Sequence, residues 1–312
     1  MNNEIITVED LVKIYPNGIR ANDHINLKVK KGEIIGIIGP NGAGKTTLIK
    51  QLTGELIPTS GNIYIMDNDM VKNPNPIKYL MGVSPQEGGL INYLTVEEHI
   101  NYFARLKGLS KEKAIENTRK ILDLLNLKSH MKKRIDELSG GLRRRVFVSI
   151  ALVNDPDLIF LDEPTTGLDP MARIDFWNTL QTIIDENPDR TIIITTHYLE
   201  ELEKISNRLI FINKGKVLLD GDRLKVRDLI LDYDIKISFP LKFKDALTDI
   251  LIKEGINFQT KEEHGFLNVL LLKKDISKIM PILLQYTNDI IISSPTLDEV
   301  FMKVMENEKN TR

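Results

Sequence analysis

The organisation of this chain follows from one segment, Gly39-Pro40-Asn41-Gly42-Ala43-Gly44-Lys45-Thr46-Thr47. The segment matches the pattern G-x-x-x-x-G-K-[ST]. The β-rich run Ile34–Ile38 precedes it, and residues 44–52 have helical composition. A strand, a loop and a helix in this order are the context in which such a loop holds phosphate. The alternative is a glycine-rich turn with a chance Lys-Thr pair.

The residue types of this loop suit a bound nucleotide. Gly39, Gly42 and Gly44 let backbone N–H groups approach a phosphate closely, and the next helix points its positive N-terminal end at it. We expect Lys45 to reach the β- and γ-phosphates and the Thr46 hydroxyl to ligate Mg²⁺. The whole loop, through Thr47, is predicted to contact the nucleotide.

A pair of acids follows a second apolar run. Leu158–Leu161 has the composition of a buried strand, and Asp162 and Glu163 come directly after it. Carboxylates at the end of a buried strand, beside a phosphate loop, suit a metal ligand and a base. We expect Asp162 to hold Mg²⁺ through water and Glu163 to orient or deprotonate the attacking water. The alternative is that both acids cap the strand and start a turn before Pro164.

A second helix start also has the features of an anion site. Ser139-Gly140-Gly141 precedes a helical pattern formed by Leu142, Val146, Ile150 and Val153. Ser139 is a good N-cap, which is the simple interpretation. Two glycines inside a helix weaken it, whereas bare backbone at a helix N-terminus suits phosphate. One triphosphate hardly needs two such sites from one chain, so the sequence favours a face-to-face dimer with ATP between the P-loop of one chain and Ser139–Gly141 of the other.

The bulk composition excludes several classes of protein. The chain has 312 residues, a hydrophobic fraction of 42%, a charged fraction of 28% and a net charge of −2. Without a basic field, we expect no nucleic-acid partner. Cysteine is absent, which excludes disulfides and thiolate metal sites. We see no signal peptide and no apolar run long enough for a bilayer, so we expect a soluble chain, for which any membrane role would come through a partner.

The order of apolar and polar segments predicts two domains. About the first 220 residues alternate between strand and helix patterns, which indicates an α/β fold with a parallel sheet. After about Arg223 the pattern changes, and we interpret residues 223–312 as a small α+β domain. The predicted strands are 4–8, 25–30, 62–66, 34–38, 158–161, 192–195, 208–212, 217–220, 234–239, 266–272 and 289–293. The predicted helices are 44–52, 96–107, 111–126, 140–154, 243–254 and 275–286.

These motifs in this order resemble the nucleotide-binding domain of an ATP-binding cassette (ABC) transporter over residues 4–222. Leu138-Ser139-Gly140-Gly141 is similar to the family signature Leu-Ser-Gly-Gly-Gln. The resemblance implies the P-loop NTPase ABC-cassette fold: a parallel core sheet, an antiparallel β subdomain and a helical subdomain at about 88–154. It implies domains at 1–222 and 223–312, and ATP and Mg²⁺ as cofactors.

The resemblance also assigns roles to four other residues. Tyr15 matches the aromatic residue that stacks on adenine, and Gln86 the glutamine that touches Mg²⁺ and senses the membrane subunit. Asp169, in Gly167-Leu168-Asp169, matches the D-loop, and His197 the switch histidine that contacts the γ-phosphate. The simple alternatives are a half-buried strand tyrosine for Tyr15, a surface loop residue for Gln86 and a helix-starting histidine for His197. Asp169 is also placed to cap the next helix before Pro170.

The sequence departs from the family signature at one position. Leu142 stands where glutamine is expected, followed by Arg143-Arg144-Arg145. This variant and the closing segment 294–301, Ser-Pro-Thr-Leu-Asp-Glu-Val-Phe, resemble exporter ATPases of the drug, antibiotic and sodium type. The arginine run has the alternative meaning of a solvated helix face.

The resemblance implies a mechanism and its partners. Lys45, Mg²⁺, His197 and the other chain's Ser139 would surround the γ-phosphate while Glu163 aims the water. ATP would close a homodimer, and hydrolysis would reopen it. The chain would energise an integral membrane permease docked at about 88–127, from a cytoplasmic position on the inner face of the membrane. The alternatives are a soluble ABC ATPase acting on ribosomes or DNA and an importer ATPase with a regulatory tail. The transported substrate leaves no trace in the sequence.

Overall fold

The computed structural model describes residues 3–86, 88–226, 233–287 and 289–310. The chain divides into two compact units, Met1–Gly221 and Asp222–Arg312. None of the helices in these described ranges is both long and apolar enough to span a membrane.

The strands, in chain order, are β1 (Glu4–Ile14), β2 (Arg20–Lys30), β3 (Ile34–Ile38), β4 (Ser60–Ile65), β5 (Asn68–Asp69), β6 (Met81–Ser84), β7 (Leu158–Asp162), β8 (Thr191–Thr196), β9 (Arg208–Asn213), β10 (Lys216–Asp222), β11 (Ile235–Pro240), β12 (Phe258–Glu263), β13 (Phe266–Leu271) and β14 (Ile291–Ser293). The α-helices are α1 (Lys45–Leu52), α2 (Asn75–Lys78), α3 (Val96–Leu106), α4 (Lys111–Leu124), α5 (Gly140–Leu152), α6 (Pro170–Glu186), α7 (Leu199–Ile205), α8 (Lys244–Lys253), α9 (Ile276–Tyr286) and α10 (Leu297–Asn310). Short 3-10 turns lie at Lys128–His130, Ile135–Glu137, Leu241–Phe243 and Lys273–Asp275.

The first unit contains an antiparallel sheet in the order β2-β1-β4-β5. β1 is central and pairs with both β2 and β4, so that Thr7 faces Lys28 on one side and Tyr64 on the other. The register shifts between Val8 and Leu11, where Asp10 has φ 47°. This bulge explains why the alternating pattern of β1 is interrupted after the residues that the sequence predicts as strand.

The second sheet of this unit has the order β10-β9-β3-β8-β7-β6. β9, β3, β8, β7 and β6 are parallel neighbours. Every residue of β3, β7 and β8 is buried, as the apolar runs at 34–38, 158–161 and 192–194 predict. The parallel core sheet that the sequence predicts is therefore present.

The main core of the first unit is one cluster of buried side chains shared by both sheets and α1. Ile6 and Ile25 come from the antiparallel sheet, Ile37 and Phe160 from the parallel sheet, and Leu48 from α1. Ile37 and Leu48 lie on either side of the P-loop in the chain. Because burial of apolar surface is stabilising, their packing in this cluster holds the P-loop segment to both sheets.

The helices next to the predicted motifs begin at residues suited to that position. Gly44, directly before α1, has φ 105°, and a Cβ there would lie 2.1 Å from the Ala21 carbonyl oxygen. Only glycine fits this position. The Ser139 hydroxyl accepts a hydrogen bond from Leu142 N at the start of α5. The Asp169 carboxylate accepts one from Ala172 N, with Pro170 as the first residue of α6.

The helical region between Gln86 and β7 contains α3, α4 and α5. α3 begins with a capping box formed by Thr95 and Glu98, and α4 begins at the N-cap Ser110. α3 packs against α4 and against α5, and α5 also packs against β6 and β7. The three helices lie within the predicted helical segment 88–154 and connect it to the parallel sheet.

The second unit contains an antiparallel sheet in the order β12-β13-β11-β14. Its element order β11-α8-β12-β13-α9-β14 is the split β-α-β arrangement. Ile237 and Phe239 of β11 point into a core with Leu247 of α8 and Leu283 of α9. The sequence predicts this α+β character but not β12, whose side chains are mostly exposed.

Candidate functional site

Four neighbouring parallel strands bring the predicted site residues to one edge of the sheet. β3 is followed by Gly39, β8 is followed by His197, and β7 ends at Asp162. β6 ends at Ser84, two residues before Gln86. Parallel strands in one sheet present their carboxyl ends at the same edge, which is where open α/β sheets bind ligands.

A cleft of about 600 Å³ lies at this edge. Its walls include the predicted loop residues 41–47 together with Tyr15, Gln86 and Glu163. Three further wall residues are not predicted from the sequence. They come from β2 and from the turn between β1 and β2: Asn17, Ile19 and Ala21. The Tyr15 hydroxyl lies 3.2 Å from the Thr47 hydroxyl, so these two side chains share a hydrogen bond.

Lys45 is held inside the P-loop. Its ammonium group donates to the carbonyl oxygens of Gly39 at 2.8 Å and Pro40 at 3.3 Å. It also lies 3.6 Å from Glu163 Oε1, and its side chain is only 5% exposed. The loop thus holds a cation against its own backbone, where an anionic ligand can replace the carbonyl partners.

Asp162 is a buried carboxylate that accepts two hydroxyl hydrogen bonds. Thr46 Oγ1 donates to Asp162 Oδ1 at 3.3 Å, and Thr195 Oγ1 donates to the same oxygen. Thr195 is the last but one residue of β8 and is fully buried. Thr195 is not among the predicted site residues, although a threonine at the end of an apolar strand indicates that a polar group lies nearby.

Glu163 lies at the centre of the predicted catalytic group. Its Oε2 accepts hydrogen bonds from Gln86 Nε2 at 3.3 Å and from Thr166 Oγ1 at 3.1 Å. His197 Nδ1 lies 3.6 Å from the same oxygen. The backbone of Glu163 has φ 46°, and its N–H donates to Thr195. A left-handed torsion is costly for glutamate, and such strain persists where neighbouring groups hold it.

The predicted residues of the second anion site are elsewhere on the surface of the unit. Ser139, Gly140, Gly141 and Asp169 are not among the described residues that line the cleft. Ser139 and Gly140 are exposed, and a Cβ on Gly140 would meet open space. Within one chain, the structure therefore brings the P-loop, the strand-end acids, Gln86 and His197 together, and leaves the start of α5 apart from them.

Two charged residues behind this edge were not predicted. Glu201 of α7 is buried and accepts hydrogen bonds from Thr165 and Thr196, and it forms an ion pair with Arg173 at 3.2 Å. Burial raises the pKa of Glu201, and those partners oppose the rise. Arg144 is also buried, so the alternative of a solvated helix face is wrong for it. The sequence does indicate this burial, because at helical spacing Arg144 lies on the same face as the apolar residues Val148 and Ala151.

Comparison with known proteins agrees with this geometry. The family model described as "ABC transporter" matches residues 22–166. The Nod factor export ATP-binding protein I of Cupriavidus metallidurans is 36% identical over 74% of this chain and 75% of that protein. The daunorubicin resistance ATP-binding protein DrrA3 of Streptomyces coeruleorubidus is 29% identical over 100% of this chain and 99% of that protein.

A solved structure gives the same result for the fold. A dimeric ATP-binding cassette in a post-hydrolysis state, bound to ADP and Pi, superposes with a TM-score of 0.64. It is 26% identical and covers 70% of this chain and 98% of its own. The predicted fold class is confirmed by this likeness.

The sheet edge, the loop and the acids define the first unit as a P-loop ATPase cassette that binds and hydrolyses ATP. The chain belongs to the ABC transporter family, as an ATP-binding protein. The comparisons give no support to the alternatives of a ribosome- or DNA-acting ATPase or an importer ATPase.

Proposed function

We propose that this chain energises export through a separate membrane permease, by closing an ATP-bound homodimer at the inner face of the cell membrane. The observation that carries the catalytic part is the convergence of Lys45, Gln86, Asp162, Glu163 and His197 at the carboxyl edge of four parallel strands. Two relatives, whose names refer to Nod factor export and to daunorubicin resistance, support export as the direction of transport.

The residues at this edge fit a bound Mg²⁺ ion. The Thr46 hydroxyl and the Asp162 carboxylate lie 3.3 Å apart, and both are hard oxygen donors at the mouth of the phosphate loop. Gln86 adds an amide oxygen from the neighbouring strand end. When bound, Mg²⁺ would neutralise charge on the phosphate oxygens. Thr195, which donates to Asp162, would fix the direction of that carboxylate.

The other side chains bind and orient the triphosphate. Lys45 would exchange its carbonyl partners for phosphate oxygens, and Tyr15 would stack on the adenine. Glu163 would aim the attacking water and receive its proton. His197, 3.6 Å from Glu163, would donate to the γ-phosphate. Glu163 and His197 directly follow buried parallel strands, and the P-loop backbone holds Lys45, so these groups would be organised before ATP enters.

A second chain completes the proposed site. Ser139 and Gly140 present an exposed helix N-terminus, with a hydroxyl and bare backbone that suit phosphate oxygens. We assign them, with Gly141 and Asp169, to the cleft of the partner chain. The dimeric state of the solved relative supports this arrangement.

The permease would bind the helical region within 88–127. Exposed large hydrophobic side chains occur there at Tyr93, Tyr102, Leu106 and Ile115. These residues follow Gln86 in the chain, so a docked partner would lie close in sequence to the glutamine at the cleft. We assign an accessory or regulatory role to the domain at 223–312.

The Glu163→Gln variant tests the catalytic assignment. Glutamine keeps the size of the side chain but cannot accept a proton, so ATP turnover should fall about 100-fold or more. ATP binding should persist, and the variant should form a dimer with ATP on a sizing column. Glu116→Gln is the matched control, because Glu116 is exposed on α4 and pairs with Lys113 and Lys120. Wild-type turnover in Glu163→Gln would remove Glu163 from the role of base.

A further inference from the structure

Arg144 is a buried cation next to the catalytic strand ends. It lies in the second turn of α5, five residues after Ser139, and is only 7% exposed. Its two neighbours are different, since Arg143 and Arg145 are both partly exposed. A buried guanidinium is costly unless its N–H groups are paired, so its partners indicate what it does.

All five N–H donors of this guanidinium have backbone carbonyl partners. Nε donates to Pro164 O at 2.7 Å. Nη1 donates to Pro85 O at 3.2 Å and Gln86 O at 3.1 Å. Nη2 donates to Asp162 O and Glu163 O, both at 2.8 Å. One planar group therefore joins two loops that follow neighbouring parallel strands.

Two of these carbonyls belong to Gln86 and Glu163, whose side chains are hydrogen-bonded to each other in the site. Gln86 Nε2 donates to Glu163 Oε2 at 3.3 Å, and Arg144 holds the backbone carbonyls of Gln86 and Glu163. The Glu163 backbone has φ 46°, a conformation that costs of order 1 kcal/mol or more for a residue with a Cβ. Thr195 fixes its N–H, and Arg144 fixes its carbonyl.

We propose that Arg144 is a positioning residue for ATP hydrolysis, which orients Glu163 and Gln86 by holding the loops after β6 and β7 in one fixed arrangement. The proposal rests on the role proposed above for Glu163. Arg144 does not line the cleft, so it acts through these two residues.

The number and geometry of the acceptors explain why the residue is arginine. A guanidinium offers five donors in a rigid plane, whereas a lysine ammonium offers three from one point. Lysine cannot hold five carbonyls in two separate loops. Because a shift of about 1 Å in a catalytic group can cost about 100-fold in rate, partial loss of these contacts should reduce turnover.

The Arg144→Lys variant separates positioning from binding. We expect kcat for ATP to fall about 10- to 100-fold, while the Kd of a fluorescent ATP analogue stays within about threefold of the wild-type value. ATP affinity is retained because Arg144 contacts neither Lys45 nor the rest of the P-loop. Arg143→Lys is the matched control: the Arg143 side chain bonds to Ile135 O and Asn92 and not to Gln86 or Glu163. Its kcat should stay at the wild-type level.

Three results would overturn the proposal. The first is wild-type kcat in folded Arg144→Lys, and the second is a loss of ATP affinity as large as the loss of kcat. If Arg144→Lys does not fold, the same two measurements are made on Arg144→Gln, whose side chain has two N–H donors. The third result is that neither variant folds although Arg143→Lys does, which would assign Arg144 to the scaffold. Glu163→Gln is measured in parallel, because wild-type turnover there contradicts the proposed function instead.

Discussion

At the scale of single residues, the site depends on carboxylates whose positions are fixed by neighbouring hydroxyl and amide groups. Asp162 and Glu163 are both nearly inaccessible to solvent. Thr195 connects them, because its hydroxyl donates to the Asp162 carboxylate and accepts from the Glu163 N–H at 3.0 Å. A single buried hydroxyl thus fixes one acid by its side chain and the other by its backbone.

Replacing Thr195 by valine removes both hydrogen bonds at nearly constant volume. Asp162 keeps the hydrogen bond from Thr46, and the Glu163 N–H keeps the Thr195 carbonyl oxygen, so neither group loses all its partners. A single hydrogen bond contributes about 0.5–1.5 kcal/mol net, so the loss of two should lower the free energy of unfolding by about 1–3 kcal/mol. Because Asp162, the proposed Mg²⁺ ligand, loses one of its two hydroxyl donors, we expect ATPase activity to fall about 10- to 100-fold and the Mg²⁺ requirement to rise. Urea unfolding and a Mg²⁺ titration of ATPase activity measure the two effects.

Thr191→Val is the control for this prediction. Thr191 lies at the opposite end of β8, is also buried, and accepts a hydrogen bond from Gly32 N at 3.0 Å. Its loss should cost similar stability with no change in ATPase activity. Equal activity losses in both variants would show that the effect of Thr195 is on stability alone.

The residues of the site could be predicted because they occur in sequence motifs in a fixed order. The hydrogen bonds between them could not, because those depend on the fold. Lys45, Asp162, Glu163, Gln86 and His197 were all identified from motifs, and the structure brings them to one edge. The contacts that Thr195 and Arg144 make with Asp162 join residues 33 and 18 positions apart, and Arg144 bonds to a backbone carbonyl. The sequence indicates that Thr195 and Arg144 lie near buried strands, but it does not identify their partners, which only the fold brings together.

At the scale of elements, the prediction depends on how fully each strand is buried. β3, β7 and β8 are buried on both faces and appear in the sequence as apolar runs. The edge strand β12 is polar and mostly exposed, so its sequence does not distinguish it from a loop. β6 is short and contains Gly82, where a Cβ would lie 2.3 Å from Ala151 O of α5. Close packing, rather than strand preference, determines that residue.

Lys107, directly after α3, links this helix to the parallel sheet and to the end of α5. Its ammonium group donates to Met81 O at 3.3 Å and to Asn154 Oδ1 at 2.8 Å, both neutral acceptors. Burial lowers the pKa of Lys107 from 10.5 to about 8. Between these values the unfolded chain binds more protons than the folded chain, so the contribution of Lys107 to stability rises as the pH rises.

We therefore predict a pH-dependent effect of Lys107→Met on stability. Below about pH 8 the folded wild-type protein carries the full cost of the buried charge, and by about pH 10.5 that cost is gone, a change of about 3 kcal/mol at most. The free energy of unfolding of the variant, relative to the wild type, should fall across this range. Urea unfolding at several pH values measures it, with Lys111→Met, an exposed lysine on α4, as the control. A constant difference would contradict a lowered pKa for Lys107.

At the scale of the whole molecule, the chain consists of a cassette unit and a second, α+β unit. The change of sequence pattern near residue 223 indicated the second unit, and its split β-α-β order could be assigned only from the strand pairing. The proposed dimer concerns two copies of the chain and is inferred from two phosphate-binding features of one copy. Ser139–Gly141 and the P-loop cleft both suit phosphate but lie apart within one chain, and the proposed dimer explains why the sequence contains both.

The most direct test of this two-chain site is the ATPase activity of a mixture of two inactive variants. Ser139→Arg blocks the helix start but keeps the P-loop, and Lys45→Ala disables the P-loop but keeps the helix start. In a mixed dimer, one site combines the intact P-loop of the first chain with the intact Ser139 of the second. An equal mixture should therefore recover up to about a quarter of the wild-type activity, since half of the dimers are mixed and each has one working site. A mixture no more active than the sum of its two components would contradict the account.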